Sequence, residues 1–336
     1  MTYLTIESFE QALQGLQEPD VAAIEAARAR QAQLTKPPGS LGRLEDIAVF
    51  LAGWQRRERP TLERGQAIIF AGNHGVVAQG VSAFPADVTA QMVANFDAGG
   101  AAINALSHAA GLELKVIALD LDRPTADFTE APAMTETDCL AALSAGAVAV
   151  DADADLIVLG EMGIGNSTAA AALCARSFGG SGTDWVGPGT GVNGDGLARK
   201  ANVIDRAIAY HASAPSTAFE TLRRVGGREI AAIAGAVVEA RRRRIPVILD
   251  GFICCSAVAS LAAATPHIIA HCLAGHCSAE PGHRRLLDRL GLEQLLQLGM
   301  RLGEGSGAAV AVGVIKAAVV THNRMATFAE AGVSDA

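Results

Sequence analysis

The chain has 336 residues, carries a formal net charge of −8 and contains only 4% aromatic residues. An acidic chain is unfavourable for binding nucleic acid, and so few aromatic side chains disfavour stacking on bases. The first residues show no basic segment followed by an apolar one, and no uninterrupted apolar run is long enough to span a membrane. We therefore expect a cytoplasmic protein with neither a membrane nor a nucleic-acid partner.

The first 60 residues are helical in pattern. Helices are predicted over residues 21–33 and 41–55, and the loop between them contains two prolines and a glycine. The end of the chain is helical in pattern again, over residues 293–302 and 308–320. We expect the two regions to form a small helical domain of residues 1–59 plus 291–336.

Short apolar runs alternate with helical segments between these regions. The runs lie at residues 67–72, 115–120, 155–160 and 246–251, with a weaker fifth at 267–272. Continuous apolar strands bounded by helices favour a parallel sheet covered on both faces. We predict an α/β fold with a mostly parallel, Rossmann-like sheet flanked by helices, in a large substrate-binding domain of residues 60–290. Such sheets bind ligands at the carboxyl ends of their strands.

Two glycine-rich loops could hold a phosphate. Residues 160–168 lie between a predicted strand and a helix, where free backbone amides form an anion cradle. Thr168 stands where a dinucleotide fingerprint has its third glycine, so that motif is imperfect. The second loop, residues 187–191, precedes Lys200, a possible counter-charge. An ordinary loop and a solvated lysine are the alternative.

Residues 303–307 place Glu304 in a run of three glycines and a serine. Glycines leave the backbone bare, so that a ligand can approach the acid closely. A carboxylate in a confined, poorly hydrated place suits a general base, because desolvation raises its pKa towards working pH. The alternative is a solvated turn whose acid complements the dipole of the following helix.

The six cysteines are irregularly spaced, which is typical of free, buried thiols in a cytosolic chain. His271 and Cys272, and likewise His276 and Cys277, are adjacent, but no second close pair completes a zinc pattern. We predict no metal and no other cofactor.

Seven segments together resemble one family, the nicotinate-nucleotide:dimethylbenzimidazole phosphoribosyltransferases of cobalamin synthesis. They occur in family order, at residues 35–45, 71–76, 88–93, 160–166, 249–252, 276–280 and 301–309. The resemblance implies transfer of the phosphoribosyl group of nicotinate mononucleotide to a nitrogen of 5,6-dimethylbenzimidazole. The products would be alpha-ribazole 5'-phosphate and nicotinate. It also implies a homodimer that binds these small molecules.

The same resemblance implies roles for individual residues. Glu304 is the general base that takes the acceptor proton. The donor would be bound by Glu161, Gly163, Gly165, Asn166, Gly189, Gly191 and Lys200. The acceptor base would be bound by His74, Ser82, Phe84, Met92 and Leu302. Met92 stands where some relatives carry glutamine, which leaves the hydrogen bonding of the acceptor open. His276 and Glu280 receive no chemical step and are expected to support Glu304 structurally. Asp250, at a strand end, could be a second acid or a turn former, and we expect it to support the residues that contact the substrates.

Three alternatives remain at this point. The acceptor could be a purine or a phenolic base, since a few pocket side chains decide this. The sheet and the imperfect glycine loop would also fit a nucleotide-binding oxidoreductase. A non-catalytic ligand-binding protein on the same scaffold is the third.

Overall fold

The computed structural model describes residues 1–189, 191–192 and 194–334. Within these residues one sheet of six strands lies between two layers of helices. The strands are β1 (Gly65–Ala71), β2 (Leu112–Ala118), β3 (Leu156–Met162), β4 (Val247–Leu249), β5 (Cys272–His276) and β6 (Gln294–Leu296).

Helices precede, connect and follow the strands. The first group comprises α1 (Ile6–Ala12), α2 (Val21–Gln33), α3 (Arg43–Gln55), α4 (Asp87–Asp97), α5 (Ala102–Ala110), α6 (Glu136–Ala149), α7 (Asn166–Phe178) and α8 (Gly182–Trp185). The second comprises α9 (Asp195–Tyr210), α10 (Ala218–Val225), α11 (Arg228–Arg243), α12 (Phe252–Ser256), α13 (Ala259–Ala264), α14 (Pro281–Leu290), α15 (Ser306–Arg324) and α16 (Phe328–Ala331). Short 3₁₀ turns cover Gly75–Gln79 and Pro266–Ile269.

All strand pairs are parallel, and the order across the sheet is β2-β1-β3-β4-β5-β6. The chain runs from β1 outwards to β2 and then returns to the other side of β1. The order therefore reverses between β1 and β3, which makes this a doubly wound sheet with its switch point there. The predicted parallel α/β fold is confirmed.

The central strands bury both faces. Every residue of β1 is buried, and its side chains alternate between two apolar clusters. Ile68 and Phe70 face the layer that contains α6, α7 and α11, whereas Ala67 and Ile69 face the layer that contains α3, α5 and α15. Since both faces are covered, the strand sequences read as continuous apolar runs rather than as alternating ones.

Helix α15 is the core helix of the second layer. By length and composition it could cross a membrane, but 56% of its apolar window is buried inside the protein. It packs on α3, α5 and β5. These contacts account for its apolar character.

Two predicted elements were wrong. The strand predicted at residues 267–272 is a 3₁₀ turn that begins at Pro266, and β5 follows it. The alanine and glycine of β5 give a weak strand signal. The helix predicted at residues 293–302 is instead β6 and a loop. Pairing with the edge of β5 decides this, and Gly299 at φ 69° is unfavourable for a helix.

The division into two domains stays a prediction. Helix α2 packs on α3 and α3 on α15, and Arg30 binds the carbonyl oxygens at the end of α15. By contrast, α1 packs on α6 and α10, and β6 extends the sheet to residue 296. The contacts thus favour a helical unit of α2, α3 and α15.

Helices α6 and α11 cross where a glycine of each helix packs against the backbone of the other. A Cβ on Gly146 would overlap the carbonyl of Ala232, and a Cβ on Gly235 would overlap that of Leu143. We expect Gly146→Ala to lower the free energy of unfolding by about 1–3 kcal/mol, because the helices must separate. Gly313→Ala is the matched control, since a Cβ there meets nothing within 4 Å. It should stabilise by about 0.5–1 kcal/mol. Urea denaturation measures both, and equal effects would contradict the packing argument.

Candidate active site

A cleft of about 800 Å³, including space open to solvent, lies beyond the carboxyl ends of β3, β4 and β5. This is the edge at which parallel sheets of this kind bind ligands. The structure brings eight of the predicted site residues together in its lining. They are Ser82, Glu161, Gly163, Gly165, Asn166, Gly189, Lys200 and Leu302.

The start of α7 forms one wall of the cleft. Its N-cap residue is Gly165, at φ 93°, and no side chain among the described residues caps the helix. Gly163 allows the loop to touch the end of β1, since a Cβ there would lie 2.6 Å from the carbonyl oxygen of Gly72. An uncapped helix start presents backbone N–H groups and a partial positive charge to the cleft. This wall is suited to a phosphate.

Lys200 lies on the same wall, and its side chain is buried. Its Nζ donates to Ser167 Oγ at 3.0 Å and to the carbonyl oxygen of Gly187 at 2.9 Å. Burial lowers the pKa of Lys200 to about 8, while the nearby Glu280 carboxylate opposes this shift. Lys200 can thus provide the positive charge that a phosphate requires, most fully below pH 8.

The second glycine loop is held by Glu280. Its Oε1 accepts a hydrogen bond from the Gly189 amide at 2.8 Å, while burial raises the pKa of the carboxyl. Gly191 does not line the cleft, and Thr190 lies outside the described residues. Glu280 was expected to support Glu304, and it instead holds the second glycine loop.

Glu304 is held in an unusual backbone conformation. Gly303, Glu304 and Gly305 have φ values of 83°, 61° and 75°, so three successive residues are left-handed. This region costs a non-glycine residue about 1–2 kcal/mol, and such strain clusters at functional sites. The Glu304 side chain is buried, its pKa is raised by desolvation, and no hydrogen bond to its carboxylate occurs within the described chain. Gly303 beside it lines the cleft.

Glu161 lies against the loop that carries Glu304. A Cβ on Gly303 would lie 2.6 Å from Glu161 Oε1, so a glycine is needed there. Asn166 Nδ2 donates to the other carboxylate oxygen. Burial raises the pKa of Glu161 to about 8, and the carboxylates of Asp250, Glu229 and Glu304 raise it further. At neutral pH Glu161 is therefore largely protonated and can donate a hydrogen bond.

His74 lies behind the first glycine loop rather than in the cleft lining. It is buried, and its Nε2 is 2.6 Å from Glu229 Oε1. Glu229 is the second residue of α11 and belongs to no recognisable motif, so it was missed from the sequence. The pair lies beneath Gly163, where a Cβ would be 3.3 Å from Glu229 Oε1.

The other predicted acceptor residues differ in their placement relative to the cleft. Ser82 lines the cleft, and its hydroxyl bonds with the backbone of Phe84, which is 46% exposed. Met92 is half-buried on α4 and packs against the apolar cluster of the α15 layer. Leu302, at 54% exposure, also lines the cleft. Arg301 lies beside it, and was missed although its segment was recognised.

The described residues contain no group of three or more histidine, cysteine or acidic side chains placed to hold a metal ion. All six cysteines are free and buried.

The fold and the cleft define a class: an α/β protein with a ligand cleft at the carboxyl edge of its sheet, whose lining includes an uncapped helix start, a buried lysine and the loop of a buried acid. Comparisons with known proteins narrow this class. A family model described as phosphoribosyltransferase matches residues 16–333.

Curated relatives match along nearly the whole chain. The nicotinate-nucleotide–dimethylbenzimidazole phosphoribosyltransferase of Novosphingobium aromaticivorans is 70% identical over 99% of this chain and 98% of its own length. The enzyme of the same name from Ruegeria pomeroyi is 60% identical over 94% of each chain. A crystal structure of the Thermus thermophilus enzyme of that name aligns with a TM-score of 0.87. It is 41% identical, over 94% of this chain and 100% of its own.

The chain therefore belongs to the nicotinate-nucleotide–dimethylbenzimidazole phosphoribosyltransferase family, and the resemblance stated from the motifs is confirmed. Membership of this family decides against the oxidoreductase alternative.

The burial of Glu161 generates a prediction about stability. Its pKa is about 8 in the folded protein and lower when the chain is unfolded, so the folded state binds more protons between these values. The contribution of Glu161 to stability therefore falls as pH rises through this window. We expect Glu161→Gln to raise the free energy of unfolding on the order of a few kcal/mol at pH 8, and less at pH 5.

Denaturation curves at pH 5, 6.5 and 8 check this expectation. The exposed Glu10 provides the control, because Glu10→Gln should leave the pH dependence unchanged. A Glu161→Gln variant with the wild-type pH dependence would show that this carboxyl is ionised when folded.

Proposed function

We propose that this chain transfers the 5-phosphoribosyl group of nicotinate mononucleotide to a nitrogen of 5,6-dimethylbenzimidazole. The products are alpha-ribazole 5'-phosphate and nicotinate, and the reaction belongs to assembly of the nucleotide loop of cobalamin. Membership of the family supports this reaction, because the relatives at 60–70% identity carry the corresponding name.

One observation carries the proposal for the site. A single cleft has an uncapped helix start and the buried Lys200 on one wall, and the loop of the buried Glu304 on another. The first wall suits the phosphate of the donor. The second carries Gly303 in the cleft lining, and the adjacent Glu304 has a buried carboxyl with a raised pKa, which supports its proposed role as the general base.

The chemistry requires one bond exchange and one proton transfer. The bond between C1' of the ribose and the pyridinium nitrogen breaks, and its electron pair remains on that nitrogen, so nicotinate leaves with a neutral ring. The acceptor nitrogen forms the new bond to C1'. Its N–H proton goes to Glu304, which acts as the general base.

The donor is held by the residues of the first wall. The amides around Gly163, Gly165 and Gly189 bind the phosphate together with Lys200, and Gly191 shapes the second loop. Protonated Glu161, oriented by Asn166, donates a hydrogen bond to the bound donor.

The acceptor base is proposed to lie between Ser82 and Leu302, which line the cleft. Phe84 and Met92 would close this side against the aromatic ring. His74 would act indirectly, since a Cβ on Gly165 would lie 3.3 Å from the His74 Cβ. Discrimination between benzimidazole, purine and phenolic acceptors is assigned to these few side chains.

We also propose that the protein is a cytoplasmic homodimer, as the family resemblance implies. Light scattering of the purified protein measures its mass in solution, and a monomer would contradict this part.

A product assay tests the proposed reaction. Nicotinate mononucleotide and 5,6-dimethylbenzimidazole are incubated with the protein. The products are separated by chromatography and identified by mass spectrometry. Nicotinate released in equal amount to a base–ribose phosphate is the expected result. No transfer to this base, to adenine or to phenol would reject the proposal.

Replacing Glu304 should lower the rate of the chemical step without weakening donor binding. We expect Glu304→Gln to lower kcat by about 10²–10⁴-fold, because the proton acceptor acts in the transition state. The Kd of nicotinate mononucleotide, measured by calorimetry, should stay within about threefold. Glu293→Gln is the control and should retain activity, because Glu293 is an exposed acid just before β6. Weakened donor binding with unchanged kcat would contradict the role of Glu304.

Lys200 should determine donor binding. We expect Lys200→Met to raise the KM for nicotinate mononucleotide about 10–100-fold through loss of a charge-assisted hydrogen bond. Since the pKa of Lys200 is about 8, the wild-type KM for the donor should rise above pH 8 and that of the variant should not. Lys115→Met, on the exposed edge strand β2, is the control. A variant KM that still rises above pH 8 would assign that titration to another group.

A further inference from the structure

Asp250 follows β4 and faces the start of α15. Its carboxylate is buried, with 1% exposure, and it binds two backbone amides of the segment that follows Glu304. Oδ2 accepts from the Gly305 amide at 3.2 Å, and Oδ1 accepts from the Ala308 amide at 2.8 Å. One side chain at the end of a central strand thus holds both the loop and the first turn of the helix.

Helix α15 has no cap of its own. Its N-cap residue, Gly305, has no side chain, and the hydroxyl of Ser306 is buried without a partner among the described residues. The oxygen that accepts from first-turn amides normally belongs to the N-cap residue. Here Asp250 supplies it to the Ala308 amide from 58 residues away in the sequence.

The loop needs such an anchor. Glu304 is left-handed between two left-handed glycines, a conformation that persists where surrounding contacts over-determine it. Since no residue of the described chain hydrogen-bonds its carboxylate, the position of Glu304 depends on its backbone. That backbone is tied to the sheet by Asp250.

The role requires a side chain that only accepts hydrogen bonds, and the surrounding amides favour the ionised form of Asp250. Burial raises its pKa to about 7, and the amides of Ala308, Gly307, Gly305 and Gly251 oppose the shift. His276 Nε2 is 3.5 Å from Oδ1, and burial lowers the pKa of this histidine. An asparagine would be easier to bury, but its NH₂ group would point a donor at amides that are themselves donors.

We propose that Asp250 is a positioning residue of the transfer reaction, which fixes residues 303–308 so that the Glu304 carboxylate meets the acceptor proton in the cleft. The inference rests on the proposed function, because Asp250 acts through Glu304.

A double-mutant cycle tests action through Glu304. Asp250→Asn should lower kcat about 100-fold, as a misplacement of about 1 Å can do, and leave the KM for nicotinate mononucleotide within about threefold. In the Glu304→Gln background, measured in single turnovers with excess enzyme, the same change should cost less than about threefold. Equal losses in both backgrounds, or an unchanged kcat, would overturn the proposal.

Hydrogen exchange tests the anchor without any turnover. In Asp250→Asn, peptides covering residues 303–309 should exchange at least about tenfold faster, with the remaining peptides unchanged. The control is Asp20→Asn, at the N-cap of α2, where Asp20 Oδ1 accepts from the Ala23 amide at 2.9 Å. It should leave exchange at residues 303–309 and kcat unchanged, because an asparagine can still accept the single Ala23 amide and cap α2. Unaltered exchange at residues 303–309 in Asp250→Asn would reject the anchor, whereas an inactive wild-type protein would reject the proposed function.

Discussion

The location of the site follows from one constraint, the burial of a parallel sheet on both faces. Strands β1 and β3 are covered by helices on either side, and their backbone groups pair with neighbouring strands. Polar chemistry is therefore confined to the loops beyond the strand ends. There α7 and α15 begin, and neither start has a side-chain cap from its own N-cap residue. The first amides of α7 are available to a ligand, whereas α15 is held at its start by Asp250.

Charge is divided between the two walls of the cleft. Burial raises the pKa values of Glu161, Asp250 and Glu304, and the carboxylates of Asp250 and Glu304 raise that of Glu161 further. Lys200 lies on the wall formed by α7, where Glu280 is its acidic neighbour. This arrangement fits a substrate with a dianionic phosphate at one end and a cationic leaving group at the other. Among the clustered carboxyls, Glu161 can remain protonated while Glu304 takes up a proton.

Sequence patterns predicted β1 to β4 well and the β5–β6 side of the sheet poorly. The runs of β1, β3 and β4 are continuously apolar because strands covered on both faces need apolar side chains throughout. The short β6 was mistaken for helix, since pairing with β5 rather than its own residues makes it a strand. The glycine loops and Lys200 were recognisable because anion binding needs bare amides and a cation at a fixed order along the chain.

The sequence by itself determined the fold class, the family and the acid at position 304, because these depend on local composition and on motifs in order. Tertiary structure decided which polar groups meet: His74 with Glu229, Gly189 with Glu280, and Gly305 with Asp250, at separations of 155, 91 and 55 residues. It also decided which site carboxyls are buried and therefore have raised pKa values. Burial and contact between distant segments arise only when the chain is packed, so no spacing along the sequence contains them.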